Sequence, residues 1–256
     1  LINALKSSKQ LDNTIIFMVS DHGEMLGQQG ARGKLVPWEE SIRVPTLIYH
    51  PDLKKQQKCE SIISNIDLVP TILEFSGLDK DTINTNYPEL KGTSFANMVE
   101  NVDHKNNRDN EGHLIHGVQI IPTVFNVAEK FRHIGLADSL IDKFKAFATK
   151  GNFLPDFSPP LNYKGVVDKR YKFIRYFSPR ENNIPNTFAE LSNNNASFQL
   201  YDLLNDPYEM HDISKTENNK GLLMSMNDKL NKLTDKEIGL ENHILHLPGP
   251  DWFWTT

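Results

Sequence analysis

A run of apolar residues, Ile15-Ile16-Phe17-Met18-Val19, follows Thr14 and stops at Ser20-Asp21-His22-Gly23. Five apolar residues in succession, without polar alternation, predict a strand covered on both faces, as the strands of a parallel sheet are. The chain is therefore expected to build an α/β domain around that strand. In open α/β sheets, ligands bind in the crevice beyond the carboxyl ends of the strands. Asp21 and His22 stand at that end, and Gly23 lets the chain turn sharply after them. Gly33-Lys34 follows a short loop later.

An Asp beside a His offers two metal ligands, or a general base with its orienting partner. Carboxylate oxygen suits hard cations such as calcium or magnesium. Imidazole is more at home on transition metals such as zinc or iron, so the pair by itself leaves the metal open. Lys34 offers a point positive charge for a phosphate or sulfate oxygen. Each residue alone has a plainer reading: a turn after a strand for Asp-His-Gly, a solvated surface lysine for Lys34. Their occurrence as an ordered set is what singles them out.

The set is followed by Trp38-Glu39-Glu40-Ser41-Ile42-Arg43-Val44-Pro45, and then by Asp67-Leu68-Val69-Pro70-Thr71-Ile72-Leu73, ending at Gly77. Later come Asp168-Lys169-Arg170-Tyr171-Lys172-Phe173-Ile174-Arg175-Tyr176, Leu200-Tyr201-Asp202-Leu203 and Asp206-Pro207-Tyr208-Glu209-Met210. In residue identity, spacing and order this pattern resembles the sulfatase family of the alkaline phosphatase superfamily. The resemblance implies the C-terminal part of an alkaline-phosphatase-like α/β domain, a mixed sheet sandwiched by helices. A small C-terminal antiparallel sheet with a packed helix would complete it. Asp21 and His22 match the second pair of ligands to a divalent active-site cation, calcium first, with magnesium and manganese as alternatives. Lys34 matches the lysine that contacts the sulfate group and steadies charge on the leaving oxygen, and so is both a catalytic and a substrate-binding candidate. Arg43 and one of Glu39 and Glu40 are expected to form a structural ion pair. The implied substrate is a small-molecule or carbohydrate sulfate ester.

The resemblance also implies a formylglycine nucleophile, made from Cys or Ser in a Cys-x-Pro-Ser-Arg or Cys-x-Ala-x-Arg motif ahead of the Asp-His-Gly strand. The single cysteine, Cys59, lies after that strand, in Lys58-Cys59-Glu60-Ser61, with no proline or arginine in register. Ser178-Pro179-Arg180 has the wrong spacing and reads as a turn. The family's other metal-binding aspartates, and its upstream lysine and histidine, have no match either. Leu1 and Leu5 stand one helical turn apart at a start without Met, so the chain is expected to be the C-terminal half of a sulfatase, inactive alone. Two alternatives stand beside this reading. One is a phosphonate or phosphate monoester hydrolase of the same superfamily, which shares the Asp-His-Gly and Gly-Lys features. The other is a catalytically inactive metal-binding or interaction module.

Three segments are expected: residues 1–100 as the end of the α/β domain, 101–162 as a polar loop with a helical insertion, and 163–256 as a small α+β subdomain and tail. A formal net charge of −5 over 256 residues gives no support for binding nucleic acid or anionic membrane. No apolar run approaches a membrane span. One cysteine cannot make an intramolecular disulfide. In the first segment, Val44–Tyr49 predicts a second strand. Asp67 introduces a helix that turns Leu68, Ile72, Leu73 and Phe75 to the sheet and stops at Gly77. His113 and His116 have a spacing that could chelate a metal, within what reads as a polar loop. Phe131, Leu140, Ile141, Phe144 and Phe147 form a helical apolar stripe. Residues 171–176 alternate as a strand, paired with Phe198–Tyr201. Leu222, Met226, Leu230 and Leu233 predict a packed helix. Lys169, Arg170 and Lys172 read as a solvated basic edge. Trp252 and Trp254 mark the tail.

Overall fold

A computed structural model of the chain describes residues 1–53, 55–118, 162–177, 184–193 and 197–239. Helix α1 (Ile2–Ser7) and a 3-10 turn at Leu11–Asn13 lead into β1 (Ile16–Val19). Then come α2 (Glu39–Ile42), β2 (Thr46–Tyr49), α3 (Leu68–Phe75), α4 (Lys80–Asn86) and α5 (Ala96–Glu100). Strand β1 pairs with β2 in antiparallel register, Ile16 opposite Tyr49 and Val19 opposite Thr46. The parallel pairing expected of β1 is thus not what the described residues form. Nor is the strand covered on both faces. Phe17 stacks toward Phe75 of α3, with ring centroids 6.2 Å apart. Met18 and its cross-strand partner Leu47 share the other face and are 62% and 57% exposed. An apolar run reports how much surface a strand can bury; the direction of its neighbour is decided by tertiary pairing.

The 3-10 turn Asn65–Asp67 that leads into α3 opens with a capping box in which Ser64 and Asp67 exchange side-chain-to-backbone hydrogen bonds. Pro70 sits in the first turn, where its missing N–H has no intrahelical partner to lose. Thr71 and Phe75, four residues apart, share the inward face, and Pro70 and Thr71 are buried. Val69 and Ile72, three apart, share the outer one. Ile72, expected to face the sheet, is 45% exposed for this reason. Gly77, at φ +95°, takes the left-handed conformation that ends the helix.

The second half opens with α6 (Arg108–Glu111) and β3 (His113–Val118), within the stretch that reads as a polar loop. Strands β4 (Asn162–Val167), β5 (Tyr171–Phe177) and β6 (Phe198–Asp202) complete a four-stranded antiparallel sheet in the order β3-β4-β5-β6. Helix α7 (Phe188–Asn193) precedes β6, and α8 (Lys220–Glu237) follows it. Helix α8 buries Leu223, Met226, Leu230 and Leu233 against Val166, Phe173 and Leu200. Their spacing of three and four residues makes one apolar stripe. The opposite face of the sheet presents Ile115, Tyr163, Val167, Ile174 and Tyr201, with Ile42 of α2 packed against them. The alternation along β5 is therefore as the sequence predicts, and it sets Ile42 of α2 against this second face. The stripe from Phe131 to Phe147, Ser178-Pro179-Arg180 and the tryptophan-bearing tail lie outside the described residues. Among the described residues no helix is long and apolar enough to cross a membrane.

Candidate functional site

Strand β1 ends at Val19, and the next three residues fold back on themselves. Ser20 Oγ donates to the His22 carbonyl at 2.9 Å, and the His22 backbone N–H donates to Asp21 Oδ1 at 3.0 Å. That N–H bond is the main cause holding the Asp21 carboxyl below its ordinary pKa, aided by the positive charge of Lys34. Asp21 is thus ionised and exposed to solvent, while His22 is about two-thirds covered, its side chain being 35% exposed. Asn65 Nδ2 donates to the Ser20 carbonyl and anchors the turn to the segment leading into α3.

The His22 ring is oriented by its own backbone surroundings. Nδ1 lies 2.8 Å from the Gly23 carbonyl and donates to it, which leaves Nε2 as the unprotonated acceptor. Nε2 faces Asp21 Oδ2 at 3.1 Å. Two ligand atoms each about 2.3 Å from a shared cation, at right angles, lie roughly 3.2 Å apart. The pair therefore has the separation of two neighbouring positions in a coordination shell. A carbonyl on the far ring nitrogen is the usual device that fixes a metal-binding histidine. Lys34 Nζ contacts the same Nε2. The structure thus brings Asp21, His22 and Lys34 together at one point. Among the described residues no cluster of three or more His, Cys, Asp or Glu forms. Asp21 and His22 alone are too few for a calcium shell of six to eight oxygens.

This corner is held from beneath by α2. The Gly23 N–H donates to the Ser41 carbonyl at 2.8 Å. A Cβ on Gly23 would lie 2.0 Å from the Glu40 carbonyl oxygen, so only glycine permits this approach. The loop from Glu24 to Pro37, which carries Lys34, has little regular structure beyond a 3-10 turn at Gln28–Gly30. Leu26, Gln29 and Leu35 all take positive φ there. Met25 plugs the loop into the interior, fully buried, and its N–H donates to the Gly33 carbonyl.

Several sequence expectations change at this level. Glu39 is in an ion pair, but its partner is Lys172 at 2.8 Å and not Arg43. Arg43 is exposed, and its charge is felt by Glu60. Lys172 is not on a solvated edge: it is fully buried and meets Glu209 at 2.7 Å as well. Its neighbours in the basic cluster are also paired, Lys169 with Asp109 and Arg170 with Asp202. His113 and His116 lie on β3, where residues three apart point to opposite faces, so they cannot chelate one ion together. Asp67 does more than start a helix. It is fully buried and takes a bidentate pair from Arg108, at 2.6 and 2.7 Å, plus the backbone N–H groups of Ser64 and Thr93. Arg108 donates onward to Glu237 of α8 at 2.9 Å. The only sequence signal for these buried partners was charged residues inside apolar strands and helices, which reads equally well as exposure.

Comparison with known proteins places these observations. The Sulfatase family model matches residues 1–78. The extracellular sulfatase SULF-1 homolog of Drosophila melanogaster is 44% identical over 77 residues, which is 30% of this chain and 7% of that protein. The N-acetylglucosamine-6-O-sulfatase of Bacteroides thetaiotaomicron is 36% identical over 102 residues, 40% of this chain and 17% of that protein. The phosphonate monoester hydrolase of Agrobacterium radiobacter superimposes with a TM-score of 0.59 at 21% identity, over 92% of this chain and 38% of that one. A disulfated glucosamine complex, solved with D-glucosamine-2-N,6-O-disulfate described as the protein's substrate, superimposes with a TM-score of 0.62 at 20% identity, over 94% of this chain and 38% of that one. The chain thus spans well under half the length of these proteins, and the solved structures establish a shared fold.

Proposed function

We propose that this chain, which belongs to the sulfatase family of the alkaline phosphatase superfamily, supplies part of the metal- and sulfate-binding site of a sulfuric ester hydrolase. The observation that carries the reading is the convergence of Asp21 Oδ2 and His22 Nε2, 3.1 Å apart, with Lys34 on the same nitrogen. Asp21 and His22 would hold two positions of a divalent cation, calcium first, with magnesium or manganese as alternatives. Such an ion, when bound, polarises the sulfuryl oxygens as a Lewis acid. The Gly23 carbonyl keeps the imidazole in the tautomer that offers Nε2. Lys34 provides fixed positive charge toward the sulfate and the leaving oxygen, where a preorganised donor is worth most.

The formylglycine does not fit the residues present. Cys59 is exposed and lacks the motif's proline and arginine. The 256 residues by themselves are proposed to be inactive. The similarity to an N-acetylglucosamine sulfatase and to a disulfated glucosamine complex favours a sulfated carbohydrate as substrate. The phosphonate monoester hydrolase fold match keeps a phosphonate or phosphate monoester as the second reading.

The test is turnover of 4-nitrophenyl sulfate and 4-nitrophenyl phosphonate esters by the full-length product of the gene. Sulfate hydrolysis abolished by a chelator, restored by calcium, and lost in Asp21→Ala is expected. Preference for the phosphonate ester would select the second reading. Turnover unaffected by chelator and by Asp21→Ala would reject the metal site. Turnover of the sulfate by the 256 residues alone would reject their proposed inactivity.

A further inference from the structure

We propose that Lys172, Glu39 and Glu209 form a positioning cluster through which the C-terminal antiparallel sheet fixes the loop carrying Lys34. The inference rests on the reading of Lys34 as the group that meets the sulfate. Lys172 projects from β5 and is completely buried. Its ammonium meets Glu209 Oε1 at 2.7 Å and Glu39 Oε1 at 2.8 Å, and donates to the Pro37 carbonyl at 3.0 Å. Two carboxylates and one backbone carbonyl thus converge on a single ammonium. The second oxygen of Glu209 accepts the Glu39 backbone N–H at 2.7 Å. Pro37 and Glu39 belong to the segment that joins the Lys34 loop to α2. The cluster therefore grips the main chain of that segment at two points.

Independent contacts point the same way. The turn that holds Glu209 also accepts a hydrogen bond at its Tyr208 carbonyl from Gln29 Nε2, at 3.0 Å, so the loop is held near its middle as well. Glu209 itself sits at φ +54°, in the left-handed region that disfavours a residue with a side chain. That strained backbone aims its carboxylate inward at Lys172. Gly23 rests on α2 through Ser41 and the Glu40 carbonyl. The Asp21–His22 turn and the Lys34 loop are thus both referenced to α2, and α2 begins at the cluster. The three non-glycine residues at positive φ in that loop take conformations that persist only where surrounding contacts hold them.

The chemistry also argues for geometry over stability. Two carboxylates on one buried ammonium leave an excess negative charge, and apolar residues of similar volume often stabilise such a site better. What the charged cluster supplies is a fixed distance between chain segments 133 or more positions apart in sequence, Lys172 and Glu39 among them. This arrangement places the sheet outside the chemistry while making the chemistry depend on it.

The test compares Lys172→Met, Lys172→Arg and Glu209→Gln, with Arg170→Met as a control that removes a half-exposed guanidinium paired with Asp202 and stacked on Tyr171, outside the cluster. Hydrogen exchange over residues 24–37 is measured by mass spectrometry in the 256-residue chain, and kcat and KM for 4-nitrophenyl sulfate in the full-length product. Lys172→Met is expected to lose protection in that loop and to lower kcat about 100-fold, as an ångström-scale misplacement does, with a smaller change in KM. Lys172→Arg should restore part of both, and Arg170→Met should change neither. A folded Lys172→Met with loop protection and kcat unchanged overturns the proposal. If Lys172→Met does not fold, Glu209→Gln decides by the same criteria. Lys34→Ala with wild-type activity would reject the reading of Lys34, and the loop exchange would still uphold or overturn the cluster.

Discussion

The buried pair of Arg108 and Asp67 should behave as one unit, and a double-mutant cycle can show it. Asp67 is fully buried, Arg108 is 4% exposed, and two parallel hydrogen bonds join them. Removing either partner strands a charge in the interior. Asp67→Asn leaves Arg108 with Glu237 as its remaining carboxylate, and Arg108→Met leaves Asp67 with only backbone N–H donors. Each single change is expected to cost about 3–5 kcal/mol, because the loss includes the desolvation of the orphaned ion. The double variant removes both charges and should cost at least about 2 kcal/mol less than the two single losses added together. Urea unfolding at neutral pH, followed by far-ultraviolet circular dichroism, measures this. With a denaturant slope of about 3 kcal/mol/M, each single variant should lower the midpoint by roughly 1–1.7 M. Single losses below about 1 kcal/mol, or additivity within about 0.5 kcal/mol, would refute the claim that the pair is energetically coupled.

Other outcomes follow from the same geometry. Gly23→Ala should destabilise the chain by about 1–3 kcal/mol, because its Cβ would meet the Glu40 carbonyl; a melting temperature equal to wild type would contradict the close packing. In the full-length product, Lys34→Ala is expected to lower kcat by about 100- to 1,000-fold without unfolding, measured with 4-nitrophenyl sulfate and circular dichroism. Near wild-type kcat would remove Lys34 from the site. His113 keeps some accessible surface, yet the protein packed around its imidazole pushes its pKa from 6.5 down to about 4, with Glu39 opposing and the charges of Arg108 and Lys172 assisting. The unfolded chain therefore binds a proton there first, and the stability His113 contributes should be full above about pH 6.5 and lost as pH falls toward 4. Urea midpoints of wild type and His113→Gln across that range test it, and parallel slopes would show that His113 is not the group responsible.

How far the sequence could be read depended on the range of the interactions involved. Local geometry was legible: the turn at Asp21-His22-Gly23, the helix stop at Gly77, and the stripe of Leu223, Met226, Leu230 and Leu233 each follow from a few neighbouring residues. The alternation of Tyr171 to Tyr176 was legible for the same reason, since its period is a property of the strand alone. Partners were less so. Arg43 was expected to pair with Glu39 or Glu40, yet the cation that Glu39 meets lies 133 positions away in Lys172, and no local pattern distinguishes that lysine from a solvated one. The polar-loop reading failed over residues 108–118, where polar His113 and His116 hid a strand whose partner, β4, begins at Asn162.

By itself the sequence determined the order of ligand types at the end of β1 and the likeness of residues 1–78 to the sulfatase family. These are set by residue identity and by contacts within one turn of the chain. Only the tertiary structure decided that β1 pairs antiparallel with β2, that Lys172 is a buried clamp and not a surface charge, and that Asp67 anchors Arg108 and, through it, α8. The physical reason is burial. A charged side chain has one favourable setting in water and another beside an opposite charge, and the fold determines which of the two it meets.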